Sequence, residues 1–482
     1  MQKRTKIVCT LGPSSESVET IKKMAKAGMN VARLNFSHGT YENHKILIKN
    51  IRIVEKETGE PIAIMQDLQG PKIRIGLLPE GGIDLAEGKM ASFDTALESY
   101  ANYGDGVMPI DYLDLHQYVR KGERLLLDDG RIETKIIRVQ GTRIDTEVIV
   151  GGRITSNKGI NAPDSKLTIG ALTEKDKEDA RFGVKQGVDF IALSFVREAE
   201  DILDLRYLVK EYEKEMHNKS KQPVRIIAKI ERGEAVRNIK EILDAADGIM
   251  IARGDLGIEM PAQDVPLVQK KLIDFALNAA KPVIVATQML DSMRDNPRPT
   301  RAEVSDVANA VIDHTDAVML SNETAAGKYP VAAVETMARI IHETEKSTYD
   351  DLHLREVKGK AQNVDEIISQ LSRMLAEKVG AKLILAASIS GETGRLISRH
   401  RPELPIVVAT NTDRVLHQLN LSWGVVPFHL KPCRTIEELV ERSIAALRKK
   451  KMIKTGDNII VVAGEPVGQA GHVNLLEMRA VS

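Results

Sequence analysis

RIIAKIE (Arg225–Glu231) and GIMIARGD (Gly248–Asp255) decide how the rest of the chain is read. Each opens as an apolar, β-rich run, Arg225–Ile230 and Gly248–Ala252, and each ends in charge: Lys229 and Glu231 in one, Asp255 in the other. On a strand, Lys229 and Glu231 point to the same face. Charge on the inward face of a parallel strand needs partners, because an unpaired buried charge costs several kcal/mol or neutralises itself. A divalent metal bridging Glu231 and Asp255 beside a lysine supplies them, and this is equipment for handling a phosphorylated acid. Ion pairing with the neighbouring Arg232 or Arg253 is the alternative for each acid. Gly254 fits the metal reading, since a residue without a side chain lets a ligand approach the backbone.

Outward from this pair, short β-rich runs alternate with helical patterns. Strands are expected at Thr5–Leu11, Asn30–Phe36, Ile62–Leu68, Phe190–Phe195, Arg225–Ile230, Gly248–Ala252, Val283–Thr287 and Ala317–Leu320. Helical periods follow most of them, among them Val18–Ala27, Tyr41–Thr58, Glu174–Gln186, Ala199–Lys214, Val265–Ala279, Arg301–Val311 and Val331–Glu345. Strands followed by helices imply right-handed βαβ units. Eight of them predict an α/β fold, a closed (β/α)8 TIM barrel with its chemistry at the C-terminal ends of the strands.

The alternation breaks between Gly70 and Ser165, where helical periods give way to short alternating runs punctuated by Gly81-Gly82, Asp129-Gly130 and Gly151-Gly152. This predicts a β-barrel domain inserted after the third strand, on the catalytic face, placed to act as a lid. Beyond the polar stretch Tyr349–Gln362 a new pattern begins, with strands at Leu383–Ala387, Ile406–Ala409, Gly424–Pro427 and Asn458–Val462. It reads as an open-sheet α/β domain. The expected division is 1–69 and 166–345 for the barrel, 70–165 for the lid and 346–482 for the C-terminal domain.

Composition narrows the function. Lys+Arg and Asp+Glu number 68 each in 482 residues, so the formal net charge is zero, which argues against a general nucleic-acid binder. The two cysteines, Cys9 and Cys433, lack metal spacing and point to a reducing, cytoplasmic setting. The N-terminus lacks the apolar core of a signal peptide, and no run of about 18 apolar residues predicts a membrane span.

Other strand ends carry chemistry too. In NVARLNFSHG (Asn30–Gly39), Arg33, Asn35 and Ser37 alternate and should face the barrel axis. Arg33 suits a phosphate or carboxylate, and Asn35 and Ser37 offer oxygens to a cation. MQDLQGPKIRIG (Met65–Gly76) places Asp67 at a strand end, Gly70-Pro71 as a rigid hinge into the insert, and Arg74 just beyond. A solvated loop charge is the alternative for Arg74 taken alone. Thr287, Ser321, Asn322 and Glu323 end the last two strands, where a hydroxyl often caps the next helix instead. In ASISGETGRLIS (Ala387–Ser398), Ser388, Ser390 and Thr393 with backbone N–H groups could cradle a phosphate, or form a plain strand-to-helix turn.

Together these residues resemble the pyruvate kinase family over essentially the whole chain. The resemblance is carried by KIVCTLGPSS (Lys6–Ser15), NVARLNFSHG, AKIERGEAVRNI (Ala228–Ile239), ARGDLGIEM (Ala252–Met260), ATQML (Ala286–Leu290), RPTRAEVSDVANAV (Arg298–Val311) and LSNETAAGKYP (Leu320–Pro330). It implies a barrel, a lid after the third strand and a C-terminal regulatory domain. It also implies transfer of phosphoryl from phosphoenolpyruvate to ADP, giving pyruvate and ATP, with Mg2+ or Mn2+. By resemblance Arg33, Lys229, Gly254, Asp255 and Thr287 meet phosphoenolpyruvate, with Lys229 stabilising the transition state. Glu231 and Asp255 bind the divalent metal, and Asn35, Phe36, Ser37, His38, Arg74 and Lys158 match the nucleotide and phosphoryl region. A homotetramer is implied, as is a phosphorylated effector on the loop that holds Ser388, Ser390, Thr393 and Arg395, with 464–471 as a second wall.

One departure has chemical content. Potassium-dependent members of the family usually carry Asp-Thr-Lys-Gly-Pro-Glu-Ile-Arg at the third strand. Here the segment is Asp67-Leu68-Gln69-Gly70-Pro71-Lys72-Ile73-Arg74. Asn35, Ser37 and Asp67 still match the monovalent-cation ligands, and the ammonium of Lys72 is expected to replace potassium. Two rivals remain at this point. A metal-dependent pyruvate-type aldolase or lyase shares the acid pair but needs neither lid nor nucleotide. A non-catalytic phosphometabolite sensor would not require Lys229, Glu231, Asp255 and Arg33 together.

Overall fold

The computed structural model describes residues 3–97, 106–165, 170–216, 222–353, 363–464 and 473–482. Eight parallel strands close into a barrel: Lys6–Thr10, Val31–Asn35, Ala63–Asp67, Phe190–Leu193, Arg225–Ile230, Gly248–Ala252, Val283–Ala286 and Ala317–Leu320. Each pairs with its neighbours in chain order, and the first closes the ring against the eighth, with Lys6 opposite Ala317. Side-chain alternation builds two shells. Ile227, Met250, Ile284 and Met319 fill the interior, while Ile226, Ala228 and Ile230 pack outward against the helices. Lys229 is in phase with Ile227, so the same alternation that buries Ile227 aims Lys229 along the axis. Leu421, from the C-terminal domain, joins the interior cluster.

Local signals explain the helix starts. Thr40, Thr173 and Thr300 each accept a backbone N–H at the third helical position, and the residues there (Asn43, Asp176, Glu303) reach back to complete capping boxes. The helices Gly233–Arg237, Ile239–Ala245 and Arg253–Glu259, after the fifth and sixth strands, are too short for a helical period to reveal.

After Asp67 the chain leaves the barrel for the insert. A six-stranded sheet runs in the order Ile160–Asn161, Arg124–Leu127, Ile132–Gln140, Arg143–Val150, Met90–Asp94, Val107–Pro109. Residues 73–76 bind both of its edges: Ile75 N–H reaches the Lys158 carbonyl, Ile160 N–H the Ile73 carbonyl, and Gly76 N–H the Pro109 carbonyl. The sheet therefore curls shut around its own core of Ile75, Phe93, Leu125, Ile136 and Ile144. The C-terminal domain holds a five-stranded sheet. Its four parallel strands, at Leu383–Ala387, Ile406–Thr410, Val425–His429 and Asn458–Ala463, follow the expected pattern. The fifth, Leu475–Ala480, is an antiparallel edge that sequence reading missed. The stretches 166–169, 354–362 and 465–472 lie outside the described residues, and with them most of the proposed second effector wall. No helix among the described residues is long and apolar enough to cross a membrane.

Candidate active site

The C-terminal ends of the strands bring the predicted charges together. Lys229 Nζ lies 2.9 Å from Glu231 Oε1 and 3.2 Å from Asp67 Oδ1. All three side chains are nearly sealed, with exposures of 12%, 2% and 1% for Lys229, Glu231 and Asp67. Arg33 closes on the other side of Asp67, its Nε 2.6 Å from Oδ2, and its Nη1 donates to Thr10 Oγ1 at 2.9 Å. Asp67 thus clamps two cations from two other strands, a task that its position at a strand end did not reveal.

Burial opposes every charge in this cluster, and the partners decide the outcome. Burial alone would lower the Lys229 pKa, but Asp67 and then Glu231 raise it well above the usual lysine range. Burial likewise works against ionised Asp67, yet Arg33 and Lys229 hold its pKa below the usual carboxylate range. Glu231 is pushed upward: burial dominates, and the negative charge of Asp255 adds to it against the opposing pull of Lys229. A second cation near Glu231 and Asp255 would relieve that repulsion. The Asp255 carboxylate makes no hydrogen bond or ion pair among the described residues. Arg253, its alternative partner, instead holds Asp306 with two contacts of 2.7 Å, and Glu231 pairs with Lys229. The donor set, one half-buried carboxylate beside one buried carboxylate, fits a divalent ion that takes its remaining oxygens from substrate and water. No group of three or more acidic, His or Cys side chains that would cage a metal by themselves occurs among the described residues.

The seventh strand adds a polar corner. Gly254 N–H donates to Thr287 Oγ1 at 2.8 Å, and that hydroxyl donates to the Ala286 carbonyl at 2.6 Å. Thr287 holds φ at +72°, a conformation costly for a β-branched residue. A Cβ on Gly254 would meet Thr287 Oγ1 at 3.4 Å, so the glycine keeps this corner open.

The remaining predicted residues divide. Arg33, Asn35 and Ser37 are half-buried and alternate as expected, with Asn35 Oδ1 accepting from Ser37 N–H at 3.2 Å. The Phe36 ring is buried on the helix side, stacked on His44 with centroids 3.9 Å apart, and its backbone carbonyl accepts from Lys175 Nζ at 2.9 Å. His38 is exposed. Arg74 and Lys158 stand in the lid. Arg74 donates to the Asn157 carbonyl at 3.0 Å, and Lys158 pairs with Asp128 at 2.7 Å. Lys72 Nζ is 3.4 Å from Asp129, while the ion pairs of Asp67 among the described residues are those with Arg33 and Lys229. In the C-terminal domain Ser388, Ser390 and Thr393 line a cavity of about 120 Å³ together with Asn411 and Lys431, which sequence reading did not single out. Arg395 does not line it and pairs with Glu392, which does.

A lidded (β/α)8 barrel that collects a lysine, an arginine and three acids at its mouth is the architecture of a phosphotransferase acting on a small phosphorylated acid. Residues 2–334 match the family described as pyruvate kinase, barrel domain, and residues 366–478 match pyruvate kinase, alpha/beta domain. A pyruvate kinase of Geobacillus stearothermophilus is 44% identical over 100% of this chain and 81% of its own length. One from Clostridium perfringens is 40% identical over 100% of both. The crystal structure of a pyruvate kinase from Cryptosporidium parvum superposes with a TM-score of 0.91 at 34% identity, covering 100% of this chain and 97% of that one. The chain belongs to the pyruvate kinase family, and its activity is phosphoryl transfer between phosphoenolpyruvate and ADP.

Proposed function

We propose that Glu231 and Asp255 bind Mg2+, or Mn2+ in its place, and that Lys229 neutralises the phosphoryl group in flight. The observation that carries this reading is the pairing of buried Lys229 with Asp67 and Glu231 next to an unpaired Asp255. Bound between these acids, the ion would bring oxygens of phosphoenolpyruvate and the transferring group under one positive charge. Arg33, Gly254, Asp255 and Thr287 seat the substrate. The bond between phosphorus and the enol oxygen breaks as an oxygen of the ADP β-phosphate bonds to phosphorus. Lys229, with Arg33 and Arg74, meets the negative charge on the moving oxygens, which is most of what phosphoryl transfer asks of a protein. The enolate left behind takes a proton at carbon, ordered through water by Thr287. Asn35, Phe36, Ser37, His38, Arg74 and Lys158 line the nucleotide side, and lid closure brings in Lys158 and excludes water.

The enzyme works without potassium in this reading, Lys72 supplying the charge, and both oxygens of Asp67 being engaged by cations supports it. A coupled lactate assay with phosphoenolpyruvate and ADP, varying Mg2+ and potassium, tests both claims. Strong activation by potassium at fixed ionic strength, with tetramethylammonium as balance, removes the second. Manganese and oxalate soaked into crystals and found away from Glu231 and Asp255 would remove the first.

The same reading divides the chain at 69/70, 165/166 and 345/346 and places the enzyme in the cytoplasm. It assigns a phosphorylated effector to the cavity at Ser388, Ser390 and Thr393, and makes the enzyme a homotetramer. Self-association is supported by the helix Val364–Lys378, which leaves Val364, Ile367, Leu371 and Met374 exposed at helical spacing.

A further inference from the structure

The fourth barrel strand, Phe190–Leu193, is followed directly by Ser194 and Phe195, two residues with no assigned part in the reaction. Ser194 is 1% exposed, and its hydroxyl sits between two groups. It accepts a hydrogen bond from Lys229 Nζ at 2.7 Å and donates one to the Leu68 carbonyl at 2.6 Å. A hydroxyl can do both at once. The next residue, Phe195, gives its backbone N–H to Glu231 Oε2 at 2.7 Å. To do so it holds φ at +56°, a strained value for a residue with a bulky side chain. Two consecutive residues therefore grip the two members of the Lys229–Glu231 pair, one each.

An ammonium has three N–H bonds, and Lys229 directs them to Asp67, Glu231 and Ser194. An incoming phosphoryl oxygen must take one of these places. Glu231 is the partner with another use, as metal ligand. Asp67 and Ser194 then keep the ammonium aimed while its third N–H turns to the substrate.

Ser194 also faces the root of the lid. Leu68 directly follows the third barrel strand, and the lid departs two residues later at Gly70. Gly70, at φ +70°, lies so close that a Cβ there would be 2.7 Å from the Phe195 ring and 2.9 Å from Ser194 Cβ. We propose that Ser194 is a positioning residue for Lys229, tying the aim of its ammonium to the seat of the lid through Leu68. This rests on the reading of Lys229 as the group that meets the phosphoryl oxygens.

The test compares full-length Ser194→Ala, Ser194→Cys, Lys229→Met and the double variant Ser194→Ala/Lys229→Met. Measured for each are kcat, KM for phosphoenolpyruvate, Mn2+ affinity by electron paramagnetic resonance, and far-ultraviolet circular dichroism. Ser194→Ala should lower kcat by about 10- to 100-fold, the scale of a small misplacement of a reacting group. KM and Mn2+ affinity should stay within about twofold, a split that a general loosening of the fold would not give. Ser194→Cys, similar in size and a weaker acceptor, should fall between. Ser194→Ala should add less than about twofold to the loss in Lys229→Met, since the residue acts through the lysine. A Ser194→Ala enzyme with kcat within twofold of the parent, beside an inactive Lys229→Met, overturns this inference alone. So does a double variant in which the two losses multiply. If Ser194→Ala fails to fold, Ser194→Cys decides, and an unchanged kcat there overturns it. A nearly active Lys229→Met overturns the assignment of Lys229 and this inference with it.

Discussion

Replacing Lys229 by methionine removes one positive charge and little volume. The unbranched thioether fills the channel that the lysine stem occupies. Arg33 still holds Asp67, and Phe195 N–H still holds Glu231, so each acid keeps one partner. On the proposed role of Lys229, what is lost is the charge opposite the moving phosphoryl oxygens. Two unit charges about 4 Å apart at an effective dielectric constant near 20 interact by about 4 kcal/mol. At about 1.4 kcal/mol per decade, kcat should fall by roughly 10³-fold. Glu231 is already pushed toward protonation by burial and Asp255, and losing Lys229 pushes it further, so metal binding is best compared near pH 8. There Mn2+ affinity, read by electron paramagnetic resonance, should change by no more than about threefold, since the ligands themselves remain. Activity is followed as NADH oxidation by coupled lactate dehydrogenase. A loss of less than about tenfold, or a loss of Mn2+ binding that matches the loss of rate, would refute the reasoning, because either would mean that Lys229 serves the fold or the metal and not the transferring group.

Lys72→Glu should create a potassium requirement, seen as several-fold activation by KCl over tetramethylammonium chloride; equal rates in the two salts would end the idea that the Lys72 charge replaces the ion. Gly70→Ala forces a side chain into a left-handed conformation and against the Phe195 ring, 2.7 Å away. Its stability in urea should drop by about 1–2 kcal/mol, and kcat should fall with it; an unchanged unfolding midpoint and rate would mean the lid root is looser than the packing implies. His417 bridges the C-terminal domain to the barrel, 3.2 Å from Asp189 and in contact with Glu55. Burial alone would lower its pKa, but the two carboxylates raise it to about 9 from an ordinary 6.5. A raised histidine pKa stabilises fully below about pH 6.5 and fades as pH climbs through 9, a change of about 3 kcal/mol. Urea unfolding at pH 6.5 and 9.5 should show this fall in the parent and a much smaller one in His417→Gln; parallel slopes in the two proteins would show that the histidine does not carry it.

The barrel is legible in the sequence because strand alternation and helical period both survive as local patterns. Ile227 and Lys229 share a face whatever the rest of the chain does, and a charge in that phase points inward. The same logic exposes Arg33, Asn35 and Ser37. What the pattern cannot carry is pairing across strands that lie far apart in sequence. Asp67 stands beside Arg33 and Lys229 only after the barrel closes, and its role as a shared clamp has no local signature. Ser194 and Phe195 look like the unremarkable end of an apolar strand, ALSF (Ala192–Phe195), until Lys229 and Glu231 are brought against them.

The lid residues differ for another reason. Arg74, Lys158 and Lys72 are chemically suited to phosphate or to a cation's place, yet their charges are engaged within the lid or with Asp129. Each of these contacts is at least partly open to water, Lys158 being 42% exposed and Asp129 66%. Exposed pairs of this kind are worth about 0–1 kcal/mol and are easily exchanged for a triphosphate. The buried Lys229–Asp67–Glu231 cluster is different, since removing one member strands a charge at a cost of about 3–5 kcal/mol. The molecule thus separates a buried, mutually paired electrostatic centre in the barrel from weakly paired, water-exposed positive charge in the lid. On the proposed reading, substrate binding breaks the weak pairs and, in the buried cluster, gives up only the Lys229–Glu231 contact, while Asp67 and Ser194 keep the ammonium aimed.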